Sequence, residues 1–592
     1  MLWTSCLSLG LCILAGSLAL AFIQGIKKYK IGRLLTPGRI FFLGLGMAIY
    51  VLFLPIVRAE IGYDGLEVLL ISLIRTISLF FFSSGVTDVM ALLPEESQAI
   101  HDIYSFLLPV LYLLAPLMSF SLVLSFFKNL SAYNQYVTNF FREGYIFSEL
   151  NEKSVAMAAS LLKNKPKGRF VVFTDVYEQN KDEKNELLER AKVLDAICFK
   201  KDITSIEFGL HNLRSELSFF LIGANETKNA EQALQLTKKL KKRKNTHLYV
   251  LTAQLEAEIM LADASDYSDP DALKIRRVNE VRSLIYNTLY NDGYEKVFGS
   301  AIPAPDGQKE IHAVVLGMGR CGTEMFKALS WLCQMDGYRL RVDGFEQDPL
   351  VKSRFHAQYP ELMAFSGRTD LEGEVRYTLE IHDPVEIGTA EFEQELLALP
   401  RATYVFVALG NDEINVAAAL RLRMLYARAG YYPVIQTVVY STDKKNSLLN
   451  ARNFKGQPYN IDYIGDTESF YSEEVMLHQE LEELAKARHL KWGNEQEFWK
   501  YDYYYKSSIS SAIHHEMKIK CGIPGADKPP ADRTPTEQEA IRVLEHRRWN
   551  AYVRSEGYVY SKELGRNDLA KTHNCLVPFG DLSPAEQKKD DD

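Results

Sequence analysis

The sequence predicts a membrane α-helical N-terminal region, then two tandem Rossmann-like α/β repeats, then a mainly α-helical C-terminal domain. Three observations carry this. Long apolar runs crowd the chain up to residue 128 and then stop. An apolar strand runs into Gly317-Met-Gly319-Arg-Cys-Gly322 and then a helical pattern. That context gives a Gly-x-Gly-x-x-Gly turn its meaning. Finally, 405–422 (VFVALGNDEINVAAALRL) repeats 219–236 (FFLIGANETKNAEQALQL), and an internal repeat is a fold-level signal.

Residues 1–128 form the membrane region. Its apolar runs are 2–24, 39–57, 66–83 and 103–127. Three are long enough for a bilayer, which takes ~20 residues. The first lacks a basic start and is followed by Lys27, Lys28, Lys30 and Arg33. That order favours a retained anchor with the basic loop inside. The stretch 86–102 carries Asp88, Glu95, Glu96 and Asp102 without Lys or Arg, so it reads as outside. The fourth run then returns inside and ends at Lys128. This leaves 66–83 as a re-entrant or interfacial helix, because Arg75 in its middle is costly in a span. Four spans with the opposite N-terminus are the alternative. Both models place 129–592 in the cytoplasm. A span, a re-entrant element and a span is also a pore layout. Arg75 is thus either a pore element or part of a packing helix, paired with a headgroup or an acid. The segment 73–90 has no T-V-G-Y-G, so potassium selectivity of the usual kind is unsupported. Residues 129–143 read as a short amphipathic linker.

The first repeat, with its connecting helices, is 144–308. YIFSELNEKSVAMAASLL (145–162) takes the place of the Gly-rich strand, turn and helix. RFVVFTDV (169–176) and AICF (196–199) supply the second and third strands. At a constant offset Asn225 matches Asn411, Glu226 matches Asp412, Asn229 matches Asn415 and Leu234 matches Leu420. THLYVLT (246–252) corresponds to PVIQTVV (433–439).

The second repeat is 309–493. Its glycines permit a tight turn and close approach to a pyrophosphate at a helix N-terminus. The acid after the next strand, Glu346 or Asp348, would take ribose hydroxyls. The first repeat has Ser148-Glu-Leu-Asn-Glu-Lys153 instead. Those side chains would block a phosphate, and Glu149 and Glu152 would repel it, so the first repeat reads as a structural or differently liganded partner. Cys321 stands at a helix start, where its pKa could fall; the blander reading is a small residue tolerated in the turn.

A net charge of −8 argues against nucleic acid as a partner. Seven cysteines without a C-x-x-C suggest neither a disulfide framework nor zinc.

Residues 494–592 form the C-terminal domain. A helix is expected over 535–556, with Thr534 as N-cap, Pro535 in the first position, Glu537 closing a capping box and Gly557 as the stop. Glu545 and Arg548 have i,i+3 pairing distance. Glu545, His546, Arg548 and Trp549 are too close in sequence to be expected on one face. Trp549 is a core anchor or a stacking platform. His546 and His573 are ligand-binding, pH-sensing or structural groups. No spacing resembles a hydrolase triad or a metal cluster, so the chain is read as a non-enzyme with no metal.

Residues 144–441 resemble the RCK (regulator of potassium conductance) or TrkA-N family, most specifically at HAVVLGMGRCG (312–322) and VFVALGNDEINVAAALRLR (405–423). The resemblance implies a pocket for NAD(H), ATP or ADP lined by Gly317, Gly319, Arg320, Gly322, Glu346, Asp348, Gly410, Asn411 and Asp412. It also implies homo-oligomers, such as a tetramer. Only the second repeat keeps the glycines, so one site per chain is expected. EHRRWNAYVRSEGY (545–558) and RNDLAKTHNCLVPFGDLSPAEQKKD (566–590) resemble the RyR domain, a ryanodine-receptor repeat also found in bacteria. That implies a ligand-sensing module with Glu545, His546, Arg548, Trp549, Tyr558, Arg566 and His573 as candidates. Together the resemblances imply a bacterial inner-membrane protein, in contact with lipid, in which a nucleotide gates a pore or membrane effector. Ion homeostasis or anti-phage signalling would be the setting. The alternatives are a non-conducting subunit docked on a transporter and, remotely, an NAD(P)-dependent oxidoreductase.

Overall fold

The computed structural model describes residues 2–27, 37–62, 65–81, 98–139, 141–164, 168–176, 181–210, 215–241, 243–253, 257, 260–261, 264, 273–369, 374–453, 455–477 and 480–591. The chain divides into two units, Met1–Asn134 and Gln135–Asp592.

In the first unit α1 is Leu2–Lys27, α2 Pro37–Ile61 and α3 Leu66–Leu79, and α4, Gln98–Thr138, begins there. Among the described residues, three windows are long and apolar enough to cross a membrane: Leu2–Leu20, Phe41–Ile61 and Gln98–Ser119. Helices α1 and α2 run antiparallel, because Gly10 faces Leu52 while Ser17 faces Gly44. A Cβ on Gly44 would lie 2.2 Å from that of Ser17, so the contact depends on small residues. The 14 residues of α3 rise only about 21 Å, short of a ~30 Å hydrocarbon core. Leu69, Leu70, Leu73, Ile74 and Ile77 are exposed on α3, whereas Val68, Ser72, Thr76 and Leu79 are buried. Arg75 is held by Glu60 at 2.5 Å. This is the acid partner expected of a packing helix. Residues 82–83 of the expected re-entrant segment lie outside the described residues, as does 82–90 of the stretch read for a selectivity motif.

Among the described residues the second unit contains two large sheets, each with six parallel main strands, and a two-stranded pairing of Val559–Tyr560 with Thr572–His573. The first has the order β3-β2-β1-β4-β5-β6, built from β1 (Glu143–Phe147), β2 (Arg169–Phe173), β3 (Ile197–Cys198), β4 (Leu217–Leu221), β5 (Thr246–Leu251) and β6 (Lys274–Val278). The second repeats that order as β10-β9-β8-β11-β12-β13. Its strands are β8 (Lys309–Leu316), β9 (Tyr338–Phe345), β10 (Tyr377–His382), β11 (Tyr404–Val407), β12 (Val434–Val438) and β13 (Asp462–Ile464), with β7 (Ile302–Pro303) antiparallel to β8. This is the Rossmann order, in which the chain reverses direction across the sheet between the first and fourth strands. The sixth strands were not expected from sequence. KIRRV and DYI are short and polar, and β6 is fixed from outside its repeat, with Arg276 on Glu482 and Arg277 on Asp502.

The internal repeat extends to single hydrogen bonds. Helix α5 is Glu152–Asn164, α6 Glu226–Leu240, α7 Glu280–Gly293, α8 Arg320–Leu332 and α9 Asp412–Arg428. Asn225 caps α6 by accepting from the Lys228 N–H, and Asn411 caps α9 by accepting from the Ile414 N–H. Asn229 accepts from the Gly223 N–H and donates to the Leu251 carbonyl; Asn415 accepts from the Leu409 N–H and donates to the Val438 carbonyl. Each asparagine ties the turn after the fourth strand to the fifth strand.

In the C-terminal region, α10 is Asp502–Lys520 and α11 is Pro535–Ser555. The Thr534–Glu537 capping box forms, and Gly557 sits at φ +87°. Buried charge knits α11 to both repeats. Arg282 on α7 reaches Glu324 on α8 and Glu556 beyond α11, both at 2.9 Å, and Lys327 on α8 approaches the same two carboxylates at 3.3 and 3.5 Å. Trp331 on α8 packs edge-on against Tyr552 on α11. Arg169 of the first repeat forms a two-pronged bond to Glu473 of the second, beyond β13.

Candidate functional site

The parallel β8 and β11 diverge into turns at their C-terminal ends, and a cavity of about 900 Å³ opens there. Gly317, Gly319, Arg320, Glu346 and Gly410 line it. Three glycines of the turn have different physical reasons. Gly317 has φ +85°, and a Cβ there would lie 2.4 Å from the Ala408 carbonyl oxygen. A Cβ on Gly322 would lie 1.7 Å from the Gly317 carbonyl oxygen, so α8 needs a glycine to pack on its own turn. At Gly319, φ is −69° and a Cβ would meet nothing within 4 Å. The protein's own atoms do not require glycine there. Gly319 is also the N-cap of α8 and supplies no side-chain cap, so the first amides of this helix keep their hydrogen-bonding capacity beside the cavity.

Glu346 follows β9 and lines the cavity; one oxygen accepts from the Met318 N–H and the other from the Gln347 N–H, both at 2.8 Å, which leaves lone pairs for a hydroxyl. Asp348 is off the wall: it accepts from the Leu350 N–H and pairs with Arg354. Of the two acids expected to take a ribose, the geometry leaves Glu346. Asn411 and Asp412, also expected at the site, are off the wall as well. Asn411 caps α9, and both oxygens of Asp412 accept amides, from Tyr440 and Ser441. Cys321 is buried beside the Tyr440 hydroxyl, and burial pushes its thiol up rather than down. The small-residue reading therefore replaces the reactive one.

The sequence missed several wall residues. Lys153 and Glu280, joined at 2.8 Å, come from the first repeat, so the cavity lies between the repeats. Arg320 reaches across to Glu226 of the first repeat at 3.1 Å. Arg421, Tyr440 and Glu386 also line the cavity. Lys153 stood in the altered turn motif and was the one detectable signal. Leu284, Leu409, Ile414 and Val438 give the cavity apolar surface among its charged groups, a mixture that suits a small organic ligand. In the first repeat the equivalent turn is filled. Leu150 is buried, and Asn151 accepts from the Ser154 N–H at the start of α5.

No protein-family model and no curated protein matches the chain.

A second cavity, of about 500 Å³, lies in the C-terminal region. Glu545, His546, Arg548, Trp549, Arg566 and His573 all line it. The first four do share a cavity wall, contrary to expectation, because positions i, i+1, i+3 and i+4 span only about 160° of a helix. Glu545 and Arg548 pair at 2.6 Å. Trp549 is half-buried between His546 and His573 and packs against the main core from the cavity wall. His546 is structural: one nitrogen faces the Val577 carbonyl at 2.8 Å and the other Asp590 at 3.1 Å. Burial, reinforced by Arg566, holds His573 down at about 4, so it is neutral at pH 7. Tyr558 is off the wall, buried with its hydroxyl donating to Asp568.

Proposed function

We propose that the chain is a membrane-embedded nucleotide sensor. NAD(H) or an adenine nucleotide binds at Gly317–Gly322, with its pyrophosphate over Gly319 and the first turn of α8, and its ribose on Glu346. The observation that carries this is Gly319, a glycine with no steric reason in the fold at an uncapped helix start beside a large cavity. The walls come from both repeats, so a ligand that favours one spacing of Arg320 and Glu226 shifts the balance between arrangements by its differential affinity for them. Tyr136, in the last turn of α4, donates to the Phe208 carbonyl of the first repeat at 3.0 Å, which gives such a shift a handle toward the N-terminal helices. The output on this reading is a gated pore or membrane effector in a homo-oligomer of the bacterial inner membrane, with 129–592 cytoplasmic.

The test is ionic current from purified full-length protein in planar bilayers, with NAD+, NADH, ATP, ADP and ADP-ribose added in turn. Nucleotide-dependent current that vanishes in Gly319→Asp supports the reading. Silence with every nucleotide, while calorimetry still records binding, replaces the gated pore with a regulator docked on a separate transporter.

A further inference from the structure

On the reading that a nucleotide occupies the Rossmann cavity, we propose that His382 is a positioning residue of that cavity, and that the cavity binds nucleotide more tightly when the imidazole is protonated. His382 ends β10 and is clamped between two carboxylates. Its Nε2 faces Asp343 on β9 at 2.8 Å. Its Nδ1 faces Glu395, on the helix Ala390–Ala398, at 2.7 Å. A neutral imidazole has one N–H and one lone pair, so it can donate to only one of these oxygens. The imidazolium donates to both. Asp343 is fully buried and is also bonded to His312 on β8 at 2.7 Å and to Arg341 on β9 at 2.6 Å, so it cannot turn away. Glu395 is 42 % exposed, and water can replace the ring there. Loss of the proton therefore releases the helix side of the clamp.

The other charged and titratable groups near the ring leave this balance intact. Glu380, on the same face of β10, pairs with Lys352 at 2.6 Å. Tyr426 on α9 stands near Asp343, and burial keeps its phenol neutral. Burial works against a charged His382, but Asp343 and Glu395 outweigh it. The proton is thus held above the ~6.5 of a free imidazole and is lost as pH rises through the raised value.

His382 supports the cavity wall through its backbone and through its ring. Its carbonyl accepts from the Glu346 N–H at 3.1 Å, and the Glu346 carbonyl accepts from the Val385 N–H at 2.8 Å. The carboxylate assigned to the ribose is therefore mounted on this segment. Phe345, immediately before Glu346, is held between the His382 ring, stacked at 4.6 Å, and Phe392 of the helix, edge-on at 5.3 Å. Glu386, Ile387 and Gly388 lead into the helix and line the cavity. The helix also carries Glu393, which holds Arg421 of the wall at 2.8 Å. Arg421 lies 3.2 Å from where a Cβ on Gly388 would stand. Releasing Glu395 from His382 loosens the 386–388 wall and the partner of Arg421 together. Proton and nucleotide then favour the same arrangement, and each raises the affinity for the other.

Calorimetry of the full chain in detergent tests this with NAD+, whose own charge is constant between about pH 6.5 and pH 9. Affinity should fall at least about fivefold across that range, as a charge-assisted hydrogen bond is lost from the support of the wall. Near about pH 8, binding should take up protons, read as a heat that varies with the ionisation enthalpy of the buffer. In His382→Gln the affinity should be flat, at about the high-pH level of the wild type. Glu395→Gln keeps an acceptor at a part-exposed position without the charge, and should move the fall about one pH unit lower. A flat wild-type profile, or a fall that both variants retain unchanged, overturns the role of His382 and leaves the nucleotide site standing. No NAD+ binding at any pH overturns both.

Discussion

Gly319 and Gly322 belong to one motif but answer to different constraints, and substitution separates them. Gly322→Ala places a Cβ 1.7 Å from the Gly317 carbonyl oxygen, so α8 must move off β8. Overpacking of this kind costs about 3 kcal/mol. Gly319→Asp places its side chain in open space at the N-cap of α8, where Asp is a favoured capping residue. The fold should therefore be unchanged or slightly stabilised. Binding should not survive. A carboxylate about 4 Å from a phosphate costs about 4 kcal/mol at an effective dielectric near 20, and water at the cavity mouth reduces that to about 2 kcal/mol. The expected loss of nucleotide affinity is about 30- to 1,000-fold. Calorimetry with NADH, ATP and ADP reads the affinity, and thermal melts of the same full-length samples read the fold. The two variants should move in opposite directions: Gly322→Ala lowers the melting temperature, while Gly319→Asp loses ligand and keeps it. Undiminished affinity in Gly319→Asp, or a melting temperature that falls as far as in Gly322→Ala, refutes the reasoning.

Other outcomes follow from buried charge and capping. Glu556→Gln removes a carboxylate shared by Arg282 and Lys327 and should cost about 3 kcal/mol, measured as a lower denaturation midpoint. The buried Asp343 accepts from His312, His382 and Arg341, and burial is outweighed by these partners, which hold its carboxyl far below the usual range. Burial lowers His382, but Asp343 and Glu395 outweigh it and leave the imidazole raised. The stabilisation from His382 should therefore be complete below about pH 6.5 and lost as pH rises through the raised value. Melts of wild type and His382→Gln between pH 6 and 9 check this, and equal slopes would exclude it. Thr534→Ala should cost about 1 kcal/mol by opening the capping box, with Thr534→Ser close to wild type in the same melts.

Patterns local in sequence carried much of the architecture. The apolar runs, the Gly-rich turn, the two Asn-containing turns and the Thr534 cap depend on residues a few positions apart, and each is found as read. The matched asparagines were legible because each performs the same bonds in both repeats. The sixth strands were not legible, since KIRRV and DYI become strands only when β5 and β12 offer them an edge. The candidate site was legible in the same proportion. Gly317, Gly319, Gly322 and Glu346 announced themselves by spacing, whereas Lys153 and Glu280 reach the cavity only because the two repeats pack together.

The sequence by itself determined the order of membrane-length apolar helices, Rossmann-like repeats and helical C-terminal region, because hydrophobic period, glycine torsions and capping act over a few residues. Only the tertiary structure decided which polar residues are available. Asp348, Asn411, Asp412 and Tyr558 have the right chemistry for ligands, but neighbours distant in sequence or across a turn bond them and none of the four lines a cavity. Arg548, by contrast, is buried with one donor left over. A side chain's chemistry is written in its residue type, but whether that chemistry is already satisfied depends on partners that only folding brings within 3 Å or so.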